Sequence, residues 1–503
     1  MGKRLESVEE FYRDGEILLT GGTGFLGKLV IVKLLRSFPG IRKIYMMVRD
    51  KKGASAEERL NALFRNVIFE RLHLEVPDFK SKIHVLPCNL ELRDLGLSPE
   101  NKQMLISRVN IVLHGAATLR FDEDLQVAIQ TNVRGTREVL NLAKQCPNLK
   151  MLTYVSTAFS HARSQIGEVV YEPKTHYKEL LELSMFCPDD PRLPLMKAKL
   201  ALESVNTYTL TKAASEHLIS EEAKTYPVTI FRPSIVISTW SDPIAGYIDN
   251  LYGPTGLVTG VQAGIIRCIS NARHIKADMV PADYVVNALI CCTWDGYNKF
   301  QADNSCLPVY NYVSSTTNPI TWSEFETKGY QATVRYPYSR MLYSPFVYNS
   351  PNPVVYALRT LIVHYLVGYL FDFYFWSTGQ SMRLIPMYRK MDKVIHLLRP
   401  FSTTDWIFDS ANILHTWNQL GPTDRAKFPF NIADLEWDEY LDRYVRGTLV
   451  HHLQDSMETT VRKKAMERAN RLYLLHQFLK ALFYGIFMIT LWSFLQPYIT
   501  IQR

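Results

Sequence analysis

The first half of the chain alternates short apolar runs with longer stretches of helical periodicity. Residues 16–20 (EILLT) form one apolar run, and residues 29–35 (LVIVKLL) follow with the pattern of a buried helix. A second apolar run lies at 43–48 (KIYMMV). Strands that alternate with helices are typical of a parallel sheet covered by helices on both faces. The pattern therefore predicts a doubly wound α/β fold.

A glycine-rich stretch, GGTGFLG at 21–27, lies between the first predicted strand and the first predicted helix. Gly21, Gly24 and Gly27 allow a tight turn, close approach of the backbone to a pyrophosphate and close helix-strand packing. The helix N-terminus adds partial positive charge for the phosphate. The order of strand, glycine loop and helix predicts a Rossmann-type dinucleotide site, and an ordinary turn is the alternative.

The second predicted strand ends at Arg49, where a residue that contacts the adenosine ribose is expected. An arginine suits the 2′-phosphate of NADPH, and Lys51 and Lys52 add positive charge. Asp50 supports the alternative, because its carboxylate could accept a hydrogen bond from the 2′-hydroxyl of NADH. The sequence predicts NADPH over NADH.

Tyr208 and Lys212 stand four residues apart, so a helix would place them on one face. A nearby ammonium would lower the pKa of the phenol, ordinarily about 10, and make Tyr208 a proton donor to a carbonyl. Ser156 and Thr157 follow the apolar run 151–155, and their hydroxyls can hydrogen-bond a developing oxyanion. The alternatives are an ordinary surface pair for Tyr208 and Lys212 and local backbone capping for the two hydroxyls.

Taken in order along residues 14–320, these features resemble the extended short-chain dehydrogenase/reductase superfamily. The stretches TGGTGFLG (20–27), YVSTAF (154–159) and YTLTK (208–212) are similar to the signature of alcohol-forming fatty acyl-CoA reductases. The resemblance implies reduction of a long-chain acyl-CoA by NADPH to a primary alcohol, through an aldehyde-level intermediate.

The same resemblance implies roles for four catalytic residues. Tyr208 would donate a proton to the carbonyl oxygen, and Thr157 with Ser156 would stabilise the developing charge. Lys212 would lower the tyrosine pKa and orient the nicotinamide ribose. Two other functions stay open: an extended reductase that acts on a sterol or nucleotide sugar, and an NADPH-binding scaffold without turnover. The intact Tyr208, Lys212 and Thr157 argue against the scaffold.

The resemblance also implies the cofactor contacts, which fall on the glycine loop, on the ends of later strands and behind the nicotinamide. They are Thr20, Gly21, Thr23, Gly24, Phe25, Leu26, Gly27, Arg49, Asn89, Leu90, Ala116, Lys212 and Arg232. Asn89 stands where the family has aspartate, which leaves that contact open. For Asn132, Arg232 and Asp283, packing is an equal alternative to ligand contact.

The length of 503 residues exceeds what one hydrophobic core usually holds. We expect a nucleotide-binding catalytic domain at 1–350 and a helical C-terminal fatty acyl-CoA reductase domain at 351–460. A basic juxtamembrane segment at 461–480 and a transmembrane helix at 481–501 would follow. A stretch rich in proline and aromatic residues, 336–353, marks the main boundary.

Residues 481–495 are apolar, and no charged residue follows them until Arg503. About twenty uncharged residues suffice for one spanning helix, and the basic residues between 462 and 480 favour a cytosolic catalytic domain. We expect a single-pass tail anchor in the endoplasmic reticulum or the peroxisome, and a docked terminal helix is the alternative. A second apolar run, 360–371, is too short to span, and a buried helix is favoured there over an interfacial one.

The remaining features narrow the choice of partners. The seven cysteines lack zinc-ligand or Cys-x-x-Cys spacing, which predicts reduced thiols and no metal site. The net charge of +8 arises partly from the basic segment before the anchor and makes no case for nucleic acid. The expected partners are a long-chain acyl-CoA and membrane lipid, and a homo-oligomer is left open.

Overall fold

The computed structural model describes residues 7–49, 53, 55–161, 163–187, 189–201 and 204–501. Within them lie thirteen strands, β1 to β13 in chain order: Glu16–Thr20, Lys43–Val48, Ile83–Pro87, Ile111–His114, Met151–Val155, Gln165–Ile166, Val228–Pro233, Ile235–Ile237, Cys268–Ile269, Met279–Pro281, Val309–Tyr312, Tyr348–Asn349 and Ile407–Phe408.

The same described residues form twenty α-helices, α1 to α20: Val8–Tyr12, Phe25–Ser37, Ala56–Leu63, Glu70–Glu75, Pro99–Arg108, Leu125–Ala128, Gly135–Lys144, Tyr177–Leu183, Leu193–Ala201, Thr207–Glu222, Pro254–Gln262, Ala282–Ala302, Trp322–Arg335, Pro353–Thr360, Val367–Ser377, Leu384–Thr403, Ala411–Gln419, Pro422–Lys427, Trp437–His451 and Thr459–Ile501. Two π-helical turns, Ile129–Arg134 and Leu361–Leu366, connect α6 to α7 and α14 to α15. Short 3₁₀ helices lie at Val67–Phe69, Phe79–Lys82, Arg93–Gly96 and Ile432–Asp434.

Seven strands form one sheet in the order β11-β7-β5-β4-β1-β2-β3, and all neighbours in it are parallel. Leu18 of β1 pairs with Tyr45 of β2 on one side and with Val112 of β4 on the other. Parallel neighbours need crossover connections, which the intervening helices supply. The predicted doubly wound α/β fold is confirmed. Because parallel strands end at the same edge, the segments that follow β1, β4 and β5 meet there.

Each face of this sheet carries its own hydrophobic core, because successive strand residues point to opposite faces. Ile17 and Leu19 of β1 lie in the core that includes α2 and α12, whereas Leu18 lies in the core that includes α7 and α10. Covering both faces explains why the strand segments are apolar throughout instead of alternating.

The chain divides into two compact units, each built from separate stretches. Unit 1 comprises the described residues up to 248, then 273–322 and 397–440, and it contains the seven-stranded sheet. Unit 2 comprises 249–272, 323–396 and the described residues from 441 onward, and it is mainly helical. The linear boundaries near 350, 460 and 480 stay predictions.

Unit 2 contains two helical stretches long and apolar enough to cross a membrane, Pro353–Ser377 and Thr459–Ser493. The second lies within α20, so the predicted basic segment and the predicted span belong to one continuous helix. The preference for a buried helix at 360–371 is wrong, because several of its large apolar side chains, including Leu361 and Leu370, are more than half exposed. An apolar run shorter than a span does not reveal which of its faces meets protein.

Candidate active site

The glycine loop connects β1 to α2, and two of its glycines have no room for a side chain. Gly21 has a φ of +76°, in the left-handed region, and a Cβ there would lie 2.8 Å from the backbone N of Ala116. A Cβ on Gly27 would lie 2.6 Å from the Cα of Gly22. Backbone atoms block both positions, so the loop must lie tightly against the start of α2 and the turn after β4.

The first turn of α2 presents backbone donors to this loop. Gly24 is its exposed N-cap, and no side chain among the described residues caps it. The N–H groups of Phe25, Leu26 and Gly27 have no acceptor within the helix, and the helix dipole adds partial positive charge there. Thr23 lies half-buried in the same loop. A turn that excludes a Cβ and offers uncapped donors fits the pyrophosphate of a dinucleotide.

Thr20 lies beneath the loop and holds the turn after β4. Its Oγ1 lies 2.7 Å from Nδ1 of His114 and accepts the N–H of Ala116 at 3.1 Å. Burial, together with the charge of Lys212, lowers the pKa of His114 to about 3, so the ring is neutral. Thr20 is only 1% exposed. The hydroxyl of Thr20 therefore supports the site from below, and Ala116 lies beside the loop, while the cofactor contacts of both residues stay predictions.

Arg49 follows β2 and directs its guanidinium mostly into solvent, with 64% of the side chain exposed. Its Nη1 pairs with Oε1 of Glu91 at 3.0 Å. Asn89 accepts the N–H of Glu91 at 3.1 Å, and Leu90 packs against Gly135. The structure thus brings Arg49 to the turn that contains Asn89 and Leu90. The charged neighbours weighed with Arg49 lie outside the described residues: Asp50, Lys51 and Lys52.

Helix α10 carries Tyr208 and Lys212 near its start. Asn206 caps the helix by accepting the N–H of Thr209 at 2.9 Å. Lys212 is 2% exposed, and its Nζ donates to the carbonyl of Val155 at 2.7 Å. The same Nζ lies 5.9 Å from the centroid of the Tyr208 ring. The lysine therefore ties α10 to the end of β5 and stands beside the tyrosine.

Burial controls the protonation of both groups. It raises the pKa of Tyr208, and the charge of Glu216 raises it further. Burial also lowers the pKa of Lys212 to about 7, although Glu216 acts in the opposite direction. The expected lowering of the tyrosine pKa by Lys212 is therefore corrected. Lys212 is buried and Tyr208 is half-buried, and the raised pKa keeps the phenol protonated at neutral pH.

Ser156 and Thr157 lie directly after β5, next to the carbonyl that holds Lys212. They are 3% and 7% exposed. Oγ of Ser156 is buried and has no hydrogen-bond partner within the described part of the chain. Oγ1 of Thr157 accepts the N–H of Phe159 at 3.3 Å, which matches the capping alternative and leaves its own proton to donate. An unsatisfied buried hydroxyl is costly, so Ser156 is suited to a substrate oxygen.

Arg232 and Asp283 satisfy polar groups of the protein itself. All five guanidinium N–H groups of Arg232 donate hydrogen bonds. Its Nε donates to Oε1 of Glu216 at 2.9 Å, and its Nη2 donates to Oε2 of the same carboxylate at 2.6 Å. The other acceptors are Gly167, Val169 and Asn311. Asp283 accepts three backbone N–H groups of residues 240–242. The predicted cofactor contact of Arg232 is corrected, because no donor is left for a ligand.

Sequence reasoning missed Glu216, which lies one turn after Lys212 on α10. Its Oε2 lies 2.9 Å from Nε2 of His161. Burial would raise the pKa of this carboxyl, but Arg232 and His161 hold it below the usual range. The signal was present in the spacing, since residues 208, 212 and 216 recur every four positions and share a helix face.

Asn132 lies in the π-helical turn and links the segment after β4 to α10. Its Nδ2 donates to Oγ1 of Thr211 at 2.9 Å, and its Oδ1 accepts the N–H of Thr118 at 2.8 Å. Its carbonyl accepts the hydroxyl of Ser215 at 3.0 Å. Such π-turns frequently occur at functional sites. Asn132 therefore positions α10, which agrees with the packing alternative.

An aromatic cluster borders Tyr208. The ring of Phe121 lies 5.8 Å from that of Tyr208 and 5.6 Å from that of Phe401. Phe401 in turn packs against Phe159 at 5.1 Å and Trp406 at 6.4 Å. An apolar wall beside a proton donor suits a substrate that combines a reactive carbonyl with an apolar chain.

Comparison with known proteins agrees with this geometry. An NAD-binding family model described as male sterility protein matches residues 19–289, and a second model with the same description matches 363–455. Among solved structures, the reductase domain of a nonribosomal peptide synthetase from Mycobacterium tuberculosis covers 90% of this chain and 94% of its own. Its TM-score is 0.57 at 18% identity, which shows a shared fold.

Two curated relatives align over nearly their whole length. Fatty acyl-CoA reductase wat of Drosophila melanogaster is 34% identical over 494 residues, 98% of this chain and 94% of that protein. Fatty acyl-CoA reductase 1 of Homo sapiens is 35% identical over 486 residues, 96% of this chain and 93% of that protein. The NAD-binding match and the glycine loop together identify a nicotinamide cofactor site. With these relatives and this site, the chain belongs to the fatty acyl-CoA reductase family.

Proposed function

We propose that the protein reduces a long-chain fatty acyl-CoA to the primary alcohol and CoA, through an aldehyde-level intermediate, with NADPH as reductant. One observation carries the proposal: a protonated Tyr208, Lys212 and the unpaired Ser156 hydroxyl converge at the sheet edge that also bears the glycine loop. The similarity to relatives named fatty acyl-CoA reductases supports the substrate class.

The geometry supports a role for each of these residues. When bound, the nicotinamide supplies hydride to the carbonyl carbon. Tyr208 gives its proton to the carbonyl oxygen, and the hydroxyls of Ser156 and Thr157 donate hydrogen bonds to the developing charge. Lys212, held by the carbonyl of Val155, orients the tyrosine. The first reduction gives a hemithioacetal; its carbon–sulfur bond then breaks, its hydroxyl proton passes to the departing sulfur, and CoA leaves as the thiol. The same residues serve the resulting aldehyde once Tyr208 has regained a proton from solvent.

The test is NADPH oxidation by the membrane-bound protein across acyl-CoA chain lengths, with products identified by mass. We expect fatty alcohol, with two molecules of NADPH consumed per acyl-CoA. Absence of oxidation despite NADPH binding would contradict the proposal and point to another carbonyl substrate, such as a sterol or nucleotide sugar. Accumulation of free aldehyde as the only product would contradict the second reduction.

The preference for NADPH rests on Arg49, whose exposed guanidinium stands at the end of β2. Losing one charge-assisted contact costs about 1.5–3 kcal/mol, so Arg49→Ala should raise the KM for NADPH at least about tenfold and leave that for NADH nearly unchanged. Arg42→Ala is the matched control, because Arg42 is 63% exposed and also pairs with a carboxylate. An equal rise in the KM for NADPH and for NADH would show that Arg49 does not recognise the 2′-phosphate.

The apolar part of α20 is proposed to be a tail anchor, with unit 1 and the rest of unit 2 on the cytosolic side of the endoplasmic reticulum or peroxisomal membrane. The basic part of α20 is held within unit 2. Arg462 pairs with Asp455 at 2.5 Å, and Arg468 donates to the carbonyl of Met341 at 3.0 Å. Protease treatment of sealed membranes should degrade both units and spare a tag placed after residue 503. Degradation of the tag would contradict this topology.

A further inference from the structure

The stretch Pro353–Ser377 exposes large apolar side chains and buries two polar residues together with Phe375. Thr360 and His364 are 3% and 1% exposed. Its outer face includes large apolar side chains that are 58–67% exposed, among them Leu361, Leu366, Tyr369, Leu370, Phe373 and Trp376. A helix on the surface of a water-soluble protein instead directs polar side chains to the solvent and apolar ones to the core. A contiguous apolar patch of this kind marks an interaction surface.

Specific contacts hold the polar side against unit 2. Nε2 of His364 accepts the backbone N–H of Arg267 at 2.8 Å, and Arg267 donates from Nη1 to the carbonyl of Val363 at 3.0 Å. The His364 ring stacks on Tyr388 with centroids 4.7 Å apart. The helix therefore cannot turn its outer face inward without losing these partners.

The acidic residue of the stretch, Asp372, also contacts the protein. Asp372 is the only Asp, Glu, Lys or Arg between Arg359 and Arg383. Its carboxylate accepts the backbone N–H groups of Leu384 at 2.5 Å and Ile385 at 3.1 Å, at the start of α16. Between Arg359 and Arg383 the outer face consequently carries no charge, although an acidic residue lies in the middle of the sequence that forms it.

Basic side chains border the apolar stretch. Arg359 and Arg383 are exposed at its two ends, and Arg389 and Lys390 are exposed on α16, which follows it. Cations beside an uncharged apolar face match the chemistry of a leaflet that has acyl chains below anionic headgroups. Another protein surface would have to present an apolar patch with an acidic rim to match it as well.

We propose that the outer face of Pro353–Ser377 inserts into the headgroup and acyl-chain boundary of a bilayer, as a second, monotopic membrane attachment besides α20. The stretch lies along the membrane and does not cross it, because contacts through His364 and Asp372 fasten its inner side to unit 2 along its length. Unit 2 also holds α20, since the hydroxyl of Tyr343 lies 3.1 Å from Nδ1 of His476. The attachment does not depend on the reaction proposed above.

The test places a fluorophore on the outer face of the full chain. The exposed Cys187 is first replaced in a Cys187→Ser background, and Leu370→Cys is labelled with an environment-sensitive nitrobenzoxadiazole probe. The labelled protein is reconstituted into vesicles of phosphatidylcholine and phosphatidylserine, with or without bromine on the acyl chains. Leu74→Cys is the control, because Leu74 is 82% exposed and belongs to unit 1 instead of unit 2.

We expect blue-shifted emission at position 370 that is quenched by the brominated acyl chains, and no quenching at position 74. Adding Phe373→Glu should abolish the quenching at position 370, while α20 keeps the protein in the vesicles. Water-like emission at position 370 would overturn the proposal. Blue-shifted but unquenched emission, with cross-linking between copies through position 370, would also overturn it and make the face a contact between two copies of the chain.

Discussion

Helix α10 in unit 1 and the stretch Pro353–Ser377 in unit 2 both bury polar side chains, and their partners differ. On α10, Lys212 and Glu216 are ionisable groups set beside other ionisable groups, including Arg232. On the stretch in unit 2, His364 and Asp372 receive backbone N–H groups. On α10, ionisable side chains that are buried beside one another have shifted pKa values, which prepares a proton transfer. On the stretch in unit 2, polar side chains that bind backbone groups of the protein leave an uncharged outer face for lipid.

The largest expected effect comes from removing the proton donor on α10. Tyr208→Phe should lower kcat about 10²–10⁴-fold, the usual contribution of a general acid, while the Kd for NADPH stays nearly unchanged. Initial rates and cofactor fluorescence measure the two quantities. Tyr226→Phe, at a tyrosine 37% exposed, is the control. A parallel loss of NADPH binding would contradict the role given to Tyr208.

Glu216→Gln tests whether buried charge is what tunes α10. It leaves the guanidinium of Arg232 uncompensated, which should cost about 3–5 kcal/mol in the free energy of unfolding. It should also change the pH profile. The pKa of Lys212 is about 7 and Glu216 raises it, so kcat/KM should fall as pH rises through about 7 and fall at lower pH in the variant.

Glu216→Asp separates the two effects, since it keeps the charge while shortening the side chain. The pH at which kcat/KM falls should then return toward that of the unsubstituted protein, even where stability does not. An unchanged profile in Glu216→Gln would show that Glu216 has a structural role only.

The glycine loop and the shared helix face of Tyr208 and Lys212 could be predicted from the sequence because both depend on local spacing. Gly21 and Gly27 are set by the turn itself, and Tyr208 and Lys212 by four-residue spacing on one helix. The sheet followed from apolar segments of strand length. The loop, the helix face and each single strand depend on residues that are neighbours in sequence, whereas the pairing of the strands does not.

The partners of charged residues could not be predicted in this way. The sequence predicts a cofactor contact for Arg232, because a strand sequence does not show which side chains will accept its hydrogen bonds. In the structure, Glu216 on the preceding helix accepts two of them. Hydropathy likewise identifies the apolar segment 360–371, but it does not show which side of the helix faces the protein. Its inner side is decided by Arg267, nearly a hundred residues earlier in the chain.

In unit 2, Asp372→Ala tests whether the Asp372 carboxylate stabilises the start of α16. The expected loss in the free energy of unfolding is smaller than for Glu216→Gln. Removing the carboxylate leaves the first N–H groups of α16 without an acceptor, which should lower the free energy of unfolding by about 0.5–2 kcal/mol. Thermal unfolding in detergent measures it, with the exposed Asp405→Ala as the control. No change relative to that control would mean that the carboxylate does not hold α16.

The smallest expected effect is at the outer face, and two phenylalanines two positions apart make it measurable. Phe373 is 67% exposed, whereas Phe375 is 6% exposed and packs in the core formed by Leu384, Ile385 and Tyr388. Phe375→Ala should cost about 3–5 kcal/mol, and Phe373→Ala should stay within about 0.5 kcal/mol in detergent. If the two variants lost the same stability, Phe373 would be packed against protein, and the distinction between the protein-facing side and the exposed apolar side of the stretch would fail.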